Sequence, residues 1–410
     1  MNVPKEFYII DERNTKDFSI GTFSGYKKTD VIKQFENSII NKNIEEACNW
    51  LVELHISGKV DNIWDIIFNI SSKNININNP KLISWIYAKY IKYENLMNKF
   101  DKKYLYECRN NQEIRNLFVD IITILTFSDK IHTFDKLPKI KDSDLIYNNY
   151  SIKIKNNTNY FSEIFTENNI DNEFIVIINE IIHLIKIGKI NNIIYWCLWL
   201  DKLQKFKKKN KIDFICPKIE NIDVNLKYHS DWIWTIWYII LLKSEYINSE
   251  LKIEIESLYK IYKNKYTTAS ISKKQYILYH ALLLLKNNIN TDIPLINNYK
   301  YRIQTCCNIN QLYKLKKIYE VKNSDSVNNS TKTVNNNDNS KLKINIKTEI
   351  EPKTPFKIKE KETELDKTEH KMMKKLDYFN NIILYNNKEV VKNDNDEKIK
   401  NYEYKNIKLK

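Results

Sequence analysis

The sequence has 410 residues, a formal net charge of +15 and a hydrophobic fraction of 42%. A domain typically has about 150 residues, so this length allows two domains and a tail, and the hydrophobic fraction excludes a chain that is disordered throughout. A nucleotide-driven motor is also excluded. The chain has four glycines, Gly21, Gly25, Gly58 and Gly188, and their spacing matches neither a Walker A loop nor a glycine-rich dinucleotide-binding loop.

The chain starts with an irregular stretch and then becomes strongly helical. Residues 1–23 have no helical periodicity, whereas in residues 24–133 apolar residues recur at spacings of three and four, as on one face of a helix. We therefore predict an irregular N-terminal segment and a first helical lobe. Within this lobe, residues 24–80 are expected to form a compact unit in which Trp50 and Trp64 are buried.

Residues 134–170 interrupt the helical pattern. Pro138 and several Asn and Asp residues predict a long irregular connection with at most a short hairpin. Helical periodicity resumes over residues 171–322, which are predicted to form a second helical lobe. Residues 323–410 contain no Trp and few apolar clusters, which is typical of a low-complexity tail. The predicted fold class is all-α: a two-lobed helical bundle with a long irregular connection and a disordered C-terminal tail.

One segment of the tail has helical periodicity. Residues 371–385 are predicted to form a short amphipathic helix, and such a segment is more often a partner-docking peptide than a domain. Plain disorder is the alternative. The candidate docking residues are Met372, Met373, Leu376, Phe379 and Ile383.

The cysteines and histidines have no metal-binding spacing. None of the six cysteines is separated from another by two residues, as in a zinc half-site, and none of the six histidines lies three or four residues from another. We therefore predict no metal and no cofactor. Reduced structural cysteines indicate an intracellular protein. No apolar stretch approaches the ~20 residues that span a bilayer, and we expect neither a signal peptide nor a membrane partner.

Two groups of lysines are candidate contacts for nucleic acid. Lys27 and Lys28 follow Gly25 and precede a helix N-terminus, whose free N–H groups favour phosphate. For these two lysines the alternative is helix capping, which alone explains the following Thr29 and Asp30. For the second group the alternative is a solvated helix end, since the helix dipole alone favours lysine at a C-terminus. The denser group ends an aromatic-rich helix and comprises Lys205, Lys207, Lys208, Lys209 and Lys211.

The composition limits what these lysines can recognise. Residues with AT-rich codons, such as Asn, Ile, Lys and Tyr, are abundant, which indicates an AT-rich genome. Part of the lysine excess is therefore explained by codon usage. Only four of the 66 basic residues are arginine, the residue that pairs with guanine edges. Nonspecific nucleic-acid binding therefore stays open, and sequence-specific DNA recognition is not expected.

No catalytic residue is predicted. Residues 228–231 contain the residue types of a hydrolase triad, but neighbours in sequence do not make a triad, and Ser230 and Asp231 are explained as a helix start. Glu45 and Glu46 belong to the first turn of a helix, where negative charge complements the dipole. A catalytic role would require a pocket that gathers at least two His or Cys residues with a carboxylate.

One segment of the first lobe has a distinctive spacing of residues: Ser38, Ala47, Trp50-Leu51 and Gly58, followed by Asn79-Pro80. In this spacing the segment resembles the helical C-terminal region of replication-associated recombination ATPases, a clamp-loader-related branch of the AAA+ class. The ATPase module itself is missing, so ATP hydrolysis is not implied. The resemblance implies a collar-like helical module that oligomerises and lies near replicating DNA.

A second resemblance to a known family extends over most of the helical part of the chain. The residues on which it depends are 24–31, 125–128 and 232–234. They are similar to an uncharacterised protein family of nucleocytoplasmic large DNA viruses. This resemblance agrees with the AT-rich bias and implies a location in the host cytoplasm, the viral factory or the virion.

The sequence as a whole favours a non-catalytic helical interaction module of a large DNA virus. We expect it to be associated with viral genome replication or expression through contacts with viral or host proteins and through nonspecific nucleic-acid binding. One alternative is a structural or virion-packaged basic protein whose lysines only condense nucleic acid. Another is an enzyme whose site is not visible in the sequence.

Overall fold

Helices supply the regular structure of this protein. The computed structural model describes residues 3–321 except 12, 14, 101–106, 168, 287–288 and 297–298. Within this part there are thirteen α-helices and no β-strand, and an isolated bridge joins Gly21 to Lys27. The predicted all-α fold class is confirmed. The predicted helix over 371–385 and its docking residues lie outside the described residues.

The described helices fall into three groups along the chain. The first group is α1 (Lys28–Ile40), α2 (Ile44–Ile56), α3 (Val60–Ile70), α4 (Leu82–Met97) and α5 (Gln112–Phe127). The irregular connection holds only the short helices α6 (Tyr147–Ser151) and α7 (Phe161–Ile164) and a 3-10 turn at Asp142–Leu145. The last group is α8 (Asn172–Lys186), α9 (Ile190–Lys209), α10 (Trp232–Ser244), α11 (Ser249–Lys263), α12 (Ile271–Leu284) and α13 (Tyr299–Lys316).

Helix α2 shows how local sequence sets the ends of a helix. The side chain of Asn43 accepts a hydrogen bond from the N–H of Glu46 at 3.3 Å, which caps the N-terminus. Gly58, with a φ of 65°, follows the C-terminus in the left-handed region that glycine adopts without steric cost. Trp50 of α2 is 6% exposed and Trp64 of α3 is 4% exposed. The predicted burial of both tryptophans is confirmed.

One turn geometry ends four of the helices. Lys42, Gly58, Gly188 and Lys211 follow α1, α2, α8 and α9, and each has a φ between 56° and 68°. In each turn the N–H of the next residue donates to the carbonyl five positions earlier at 2.9–3.0 Å, which is the Schellman arrangement. The α2–α3 and α8–α9 turns also share their sequence, GKVDNI and GKINNI. In this glycine-poor chain, lysine occupies the other two turns.

Helices from both sides of the connection share a core, since residues 1–323 form one compact unit. Helix α13 packs on α5 and α2, and α11 packs on α4. Buried ion pairs cross these contacts. Lys316 of α13 lies 2.8 Å from Glu53 of α2, with both side chains at most 1% exposed. Asp120 of α5 pairs with Lys89 of α4 and with Arg302 of α13.

The described part of residues 3–23 is irregular apart from a 3-10 turn at Lys5–Phe7. Asn110 holds it through both backbone groups of Ile9: its Oδ1 accepts the Ile9 N–H at 2.9 Å, and its Nδ2 donates to the Ile9 carbonyl at 2.8 Å. Asp11 accepts the N–H of Val321 at 2.9 Å. The segment is therefore fixed to the residues that follow α13.

Candidate nucleic-acid interface

Helix α9 changes character along its length. Its buried residues are Ile190, Ile193, Ile194, Trp196, Cys197, Trp199, Leu200 and Leu203. No residue of this helix after Leu203 is buried, so residues 204–209 extend beyond the core. Lysines on such an extension reach solvent without disturbing core packing, and the helix dipole favours them there. The fold thus brings the predicted group Lys205 to Lys211 together at one helix end.

The structure uses the charge of Lys207 internally. Its Nζ lies 2.7 Å from an Asp171 carboxylate oxygen and 3.1 Å from a Glu173 carboxylate oxygen, and its side chain is 13% exposed. Burial lowers the pKa of Lys207, but the bonds to the two carboxylates outweigh burial and raise it overall. Lys207 therefore ties the end of α9 to the start of α8. The structure does not support its predicted role as a nucleic-acid contact.

Lys205 has partners but remains accessible. Its Nζ lies 2.6 Å from Asp201, one turn earlier, and 2.8 Å from the hydroxyl of Ser272, while its side chain is 59% exposed. An exposed ion pair of this kind contributes about 0–1 kcal/mol. The ammonium group of Lys205 is therefore only weakly held by Asp201.

Lys208, Lys209 and Lys211 are the lysines of the group that form no ion pair with a described residue, although the charge of Lys208 lowers the pKa of Asp231 and that of Lys209 lowers the pKa of Asp142. All three are exposed, and among the described residues none has a carboxylate oxygen within 4.0 Å. The neighbouring Phe206 and Ile212 add apolar surface, with 36% and 52% exposure. We refer to these five residues, Phe206, Lys208, Lys209, Lys211 and Ile212, as the α9 end.

Lys27 and Lys28 lie at the start of α1, away from the α9 end. Lys27 is the N-cap residue and is exposed, whereas Lys28 is half-buried. The preceding loop is held by Glu53, whose buried carboxylate accepts the N–H and the hydroxyl of Ser24 at 2.8 and 2.7 Å. Helix α1 packs mainly on α2 and helix α9 mainly on α8. The two predicted lysine groups therefore lie on different pairs of packed helices, each on a fixed support.

A cysteine and a histidine meet in the core. The Sγ of Cys108 lies 3.9 Å from Nε2 of His55, whose Nδ1 is hydrogen-bonded to the hydroxyl of Tyr313. All three side chains are buried. Burial lowers the pKa of His55 to about 3 and raises the pKa of Cys108 to about 12. Both groups are neutral at neutral pH, whereas a cysteine nucleophile must be a thiolate. This cluster joins α2 to α13.

A crevice of about 10 Å³, room for roughly one water molecule, lies between α9, α10, α11 and α12. Its lining includes Cys197 and Asp201 but no histidine. Burial raises the pKa of Cys197 to about 12, so this thiol is not ionised at neutral pH. The crevice therefore does not gather two His or Cys residues with a carboxylate. Across the described ranges, no group of three His, Cys, Asp or Glu side chains is placed to hold a metal ion.

The triad residue types at 228–231 are not assembled into a triad. The Nε2 of His229 lies 3.2 Å from the carbonyl of Val224. Asp231 accepts the hydroxyls of Tyr266 and Thr268 at 2.7 and 2.8 Å. Burial raises the pKa of Asp231 despite these bonds. Asp231 is the N-cap residue of α10, as the sequence predicts for a helix start.

No family model, curated protein or solved structure matches this chain. In the part of the chain that the structure describes, no helix is both long enough and apolar enough to cross a membrane. The observation that bears most directly on function is therefore the geometry of the lysines themselves.

Proposed function

We propose that this protein is a non-catalytic helical interaction module that binds nucleic acid nonspecifically through the α9 end. One observation carries the proposal: Lys208, Lys209 and Lys211 are exposed on and beside a helix segment that extends beyond the core, with no ion pair among the described residues. Lysines that neutralise phosphates release condensed counterions, and this release drives nonspecific binding.

The chemistry of the α9 end favours phosphate over base edges. Lysine is a compact, rotatable point charge, whereas direct recognition of guanine uses the planar fork of arginine. The α9 end contains no arginine, and the side chains of Arg109 and Arg115 are buried elsewhere in the core. Binding is therefore expected to be independent of base sequence and to weaken steeply as salt rises.

The two sequence resemblances support a setting for this activity. A collar-like module near replicating DNA and a protein of a large DNA virus both fit a role in viral genome replication or expression. In this proposal the protein acts in the host cytoplasm or viral factory, where it contacts viral or host proteins, and residues 371–385 supply a docking segment.

Binding of the full-length protein to labelled oligonucleotides across a salt series tests the proposal. The variant K208E/K209E/K211E reverses the three unpaired charges. A control variant reverses three other exposed lysines, Lys99, Lys136 and Lys260, so the change in net charge is matched. Each lost phosphate contact flattens the plot of log K against log salt by about 0.9 for duplex DNA. We expect weaker binding and a flatter plot for the first variant only, and identical curves for the two variants would refute the role of the α9 end.

A further inference from the structure

Exposed and half-buried lysines connect the α9 end to the start of α1 along the surface of residues 1–323. The connection passes through helix ends that are distant in the sequence. Each step is fixed by a hydrogen bond or an ion pair between described residues, and three steps complete it.

The first step lies between the loop before α1 and the turn between α2 and α3. The N–H of Phe23 donates to the hydroxyl of Ser57 at 2.8 Å. In the same turn, Lys59 donates from its Nζ to the carbonyl of Thr15 at 3.1 Å. Burial lowers the pKa of Lys59, and the positive charge of Lys28 lowers it further. Lys28 and Lys59 are thus close enough to repel each other, and an anion placed beside both relieves that repulsion.

The second step runs from α3 to the ends of α11 and α12. Lys265, which follows α11, pairs with Asp61 in the first turn of α3 at 2.7 Å. Lys273 of α12 pairs with Asp65, one turn further along α3. The lysine side chains are 67% and 64% exposed. Exposed pairs of this kind contribute little to stability, so both ammonium groups remain available to a stronger anion.

The third step runs from α12 to α9. The hydroxyl of Ser272, next to Lys273, lies 2.8 Å from the Nζ of Lys205. Lys205 is about one turn before Lys208, at the α9 end. We call the connected set the lysine row; its members are Lys27, Lys28, Lys59, Lys265, Lys273, Lys205 and Lys208. Carboxylates that lie beside members of the row include those of Asp30, Asp61, Asp65 and Asp201, and that of Asp231, whose pKa the charge of Lys208 lowers. The seven lysines outnumber these five acids.

We propose that the lysine row is an extended polyanion-binding track, along which a nucleic-acid backbone runs from the α9 end to the start of α1. This inference rests on the proposed function, because the α9 end forms one terminus of the track. It assigns Lys59, Lys265 and Lys273 as phosphate contacts, and it makes the two lysine groups seen in the sequence the two ends of one site.

The arrangement fits a polymer better than a small anion. A site for one phosphate group needs several donors that converge on it, as at a phosphate-binding loop. In the lysine row the lysines are spread over the ends of α1, α3, α11, α12 and α9, and each is exposed or half-buried. A nucleic-acid backbone with regularly spaced phosphates can contact such a row at several lysines. Because the phosphates are covalently linked, each contact raises the effective concentration of the next phosphate and so increases the overall affinity.

The test compares the full-length protein with a row variant, K59Q/K265Q/K273Q, whose substitutions keep long side chains and lie outside the α9 end. The probes are oligothymidylates of about 8 and about 40 nucleotides, one within and one well above the roughly 4–16 nucleotides that a typical single-strand site covers. For single strands each phosphate contact contributes about 0.7 to the salt slope, so three lost contacts flatten it by about 2. We expect this loss with the long probe and unchanged binding of the short probe, which the α9 end alone can hold. Circular dichroism and thermal melting check that the variant is folded.

The outcomes separate this inference from the proposed function. If the row variant binds the long probe as the wild type does, while the α9-end reversal still weakens binding, the track is refuted and the proposed function stands. If neither variant changes binding, both are refuted. A last experiment measures binding to vesicles that contain phosphatidylserine. If the row variant loses vesicle binding but keeps oligonucleotide binding, the row binds a membrane surface and the track is refuted.

Discussion

Replacing Glu254 by glutamine should change how the stability of the protein depends on pH. Glu254 of α11 is 3% exposed, and its carboxylate accepts the N–H of Ser84, at the start of α4, at 2.8 Å, as well as the Ser84 hydroxyl. Burial raises the pKa of Glu254 to about 7, against the opposing effects of the bonds from Ser84 and Ile83 and of the charge of Lys81. The folded protein therefore retains this proton at pH values where the unfolded chain has released it.

The direction and size of the effect follow from the two pKa values. Between the ordinary value of 4.5 and about 7, the folded state binds more protons than the unfolded state, so the free energy of unfolding falls as pH rises. The contribution is complete below the lower value and lost above the higher one. A pKa difference of about 2.5 at about 1.4 kcal/mol per pKa unit amounts to roughly 3.5 kcal/mol. Glutamine does not titrate, so this pH dependence should be absent from Glu254→Gln.

Urea denaturation at a series of pH values, followed by tryptophan fluorescence, measures this difference. Glu250→Gln is the matched control, because Glu250 lies on the same helix and pairs with Lys81 at 3.3 Å but is 46% exposed. We expect the wild type and the control to lose about 3.5 kcal/mol more than Glu254→Gln between acidic and mildly alkaline pH. Parallel profiles for all three proteins would refute the assignment of the buried proton to Glu254.

Two further predictions concern packing and backbone strain. Trp50→Ala should lower the free energy of unfolding by about 3–5 kcal/mol, because it removes a ring that is only 6% exposed; a loss below about 1 kcal/mol in urea denaturation would contradict this. Lys211→Gly should stabilise the fold by about 0.5–1 kcal/mol, because the φ of 56° at Lys211 is strained for a residue with a side chain. The greater conformational freedom of glycine in the unfolded chain offsets only part of this gain. The same change should weaken oligonucleotide binding. Lys211→Ala loses the charge but keeps the strain, so equal melting temperatures for the two variants would contradict the strain argument.

The helices could be predicted because their signals are local. Asn43 and Gly58 sit at the two ends of α2, and the apolar spacing between them places Trp50 inside, so a short window of sequence contains the whole argument. The lysines at the end of α9 could be predicted for the same reason, because they lie close together in the sequence. The shared turn of α2–α3 and α8–α9 was also visible, as the repeat of GKVDNI in GKINNI, but a comparison of distant segments is needed to see it.

The partners of the lysines could not be predicted, because they depend on how helices pack. Asp171, which holds Lys207 away from solvent, lies 36 positions earlier in the chain. Lys265 and Asp61 are 204 positions apart and meet only because α11 ends beside α3. The charge of a lysine is thus visible in the sequence, whereas the choice between an internal ion pair and a free surface cation is made by the tertiary structure.

Photo-cross-linking tests the proposed interface most directly. The full-length protein is irradiated with an oligonucleotide that carries 5-bromodeoxyuridine, and the cross-linked peptides are identified by mass spectrometry. The account predicts cross-links within residues 204–212, where Phe206 is an exposed aromatic side chain beside the unpaired lysines. Cross-links confined to residues 323–410 would contradict it and would favour a packaged basic protein whose tail condenses nucleic acid.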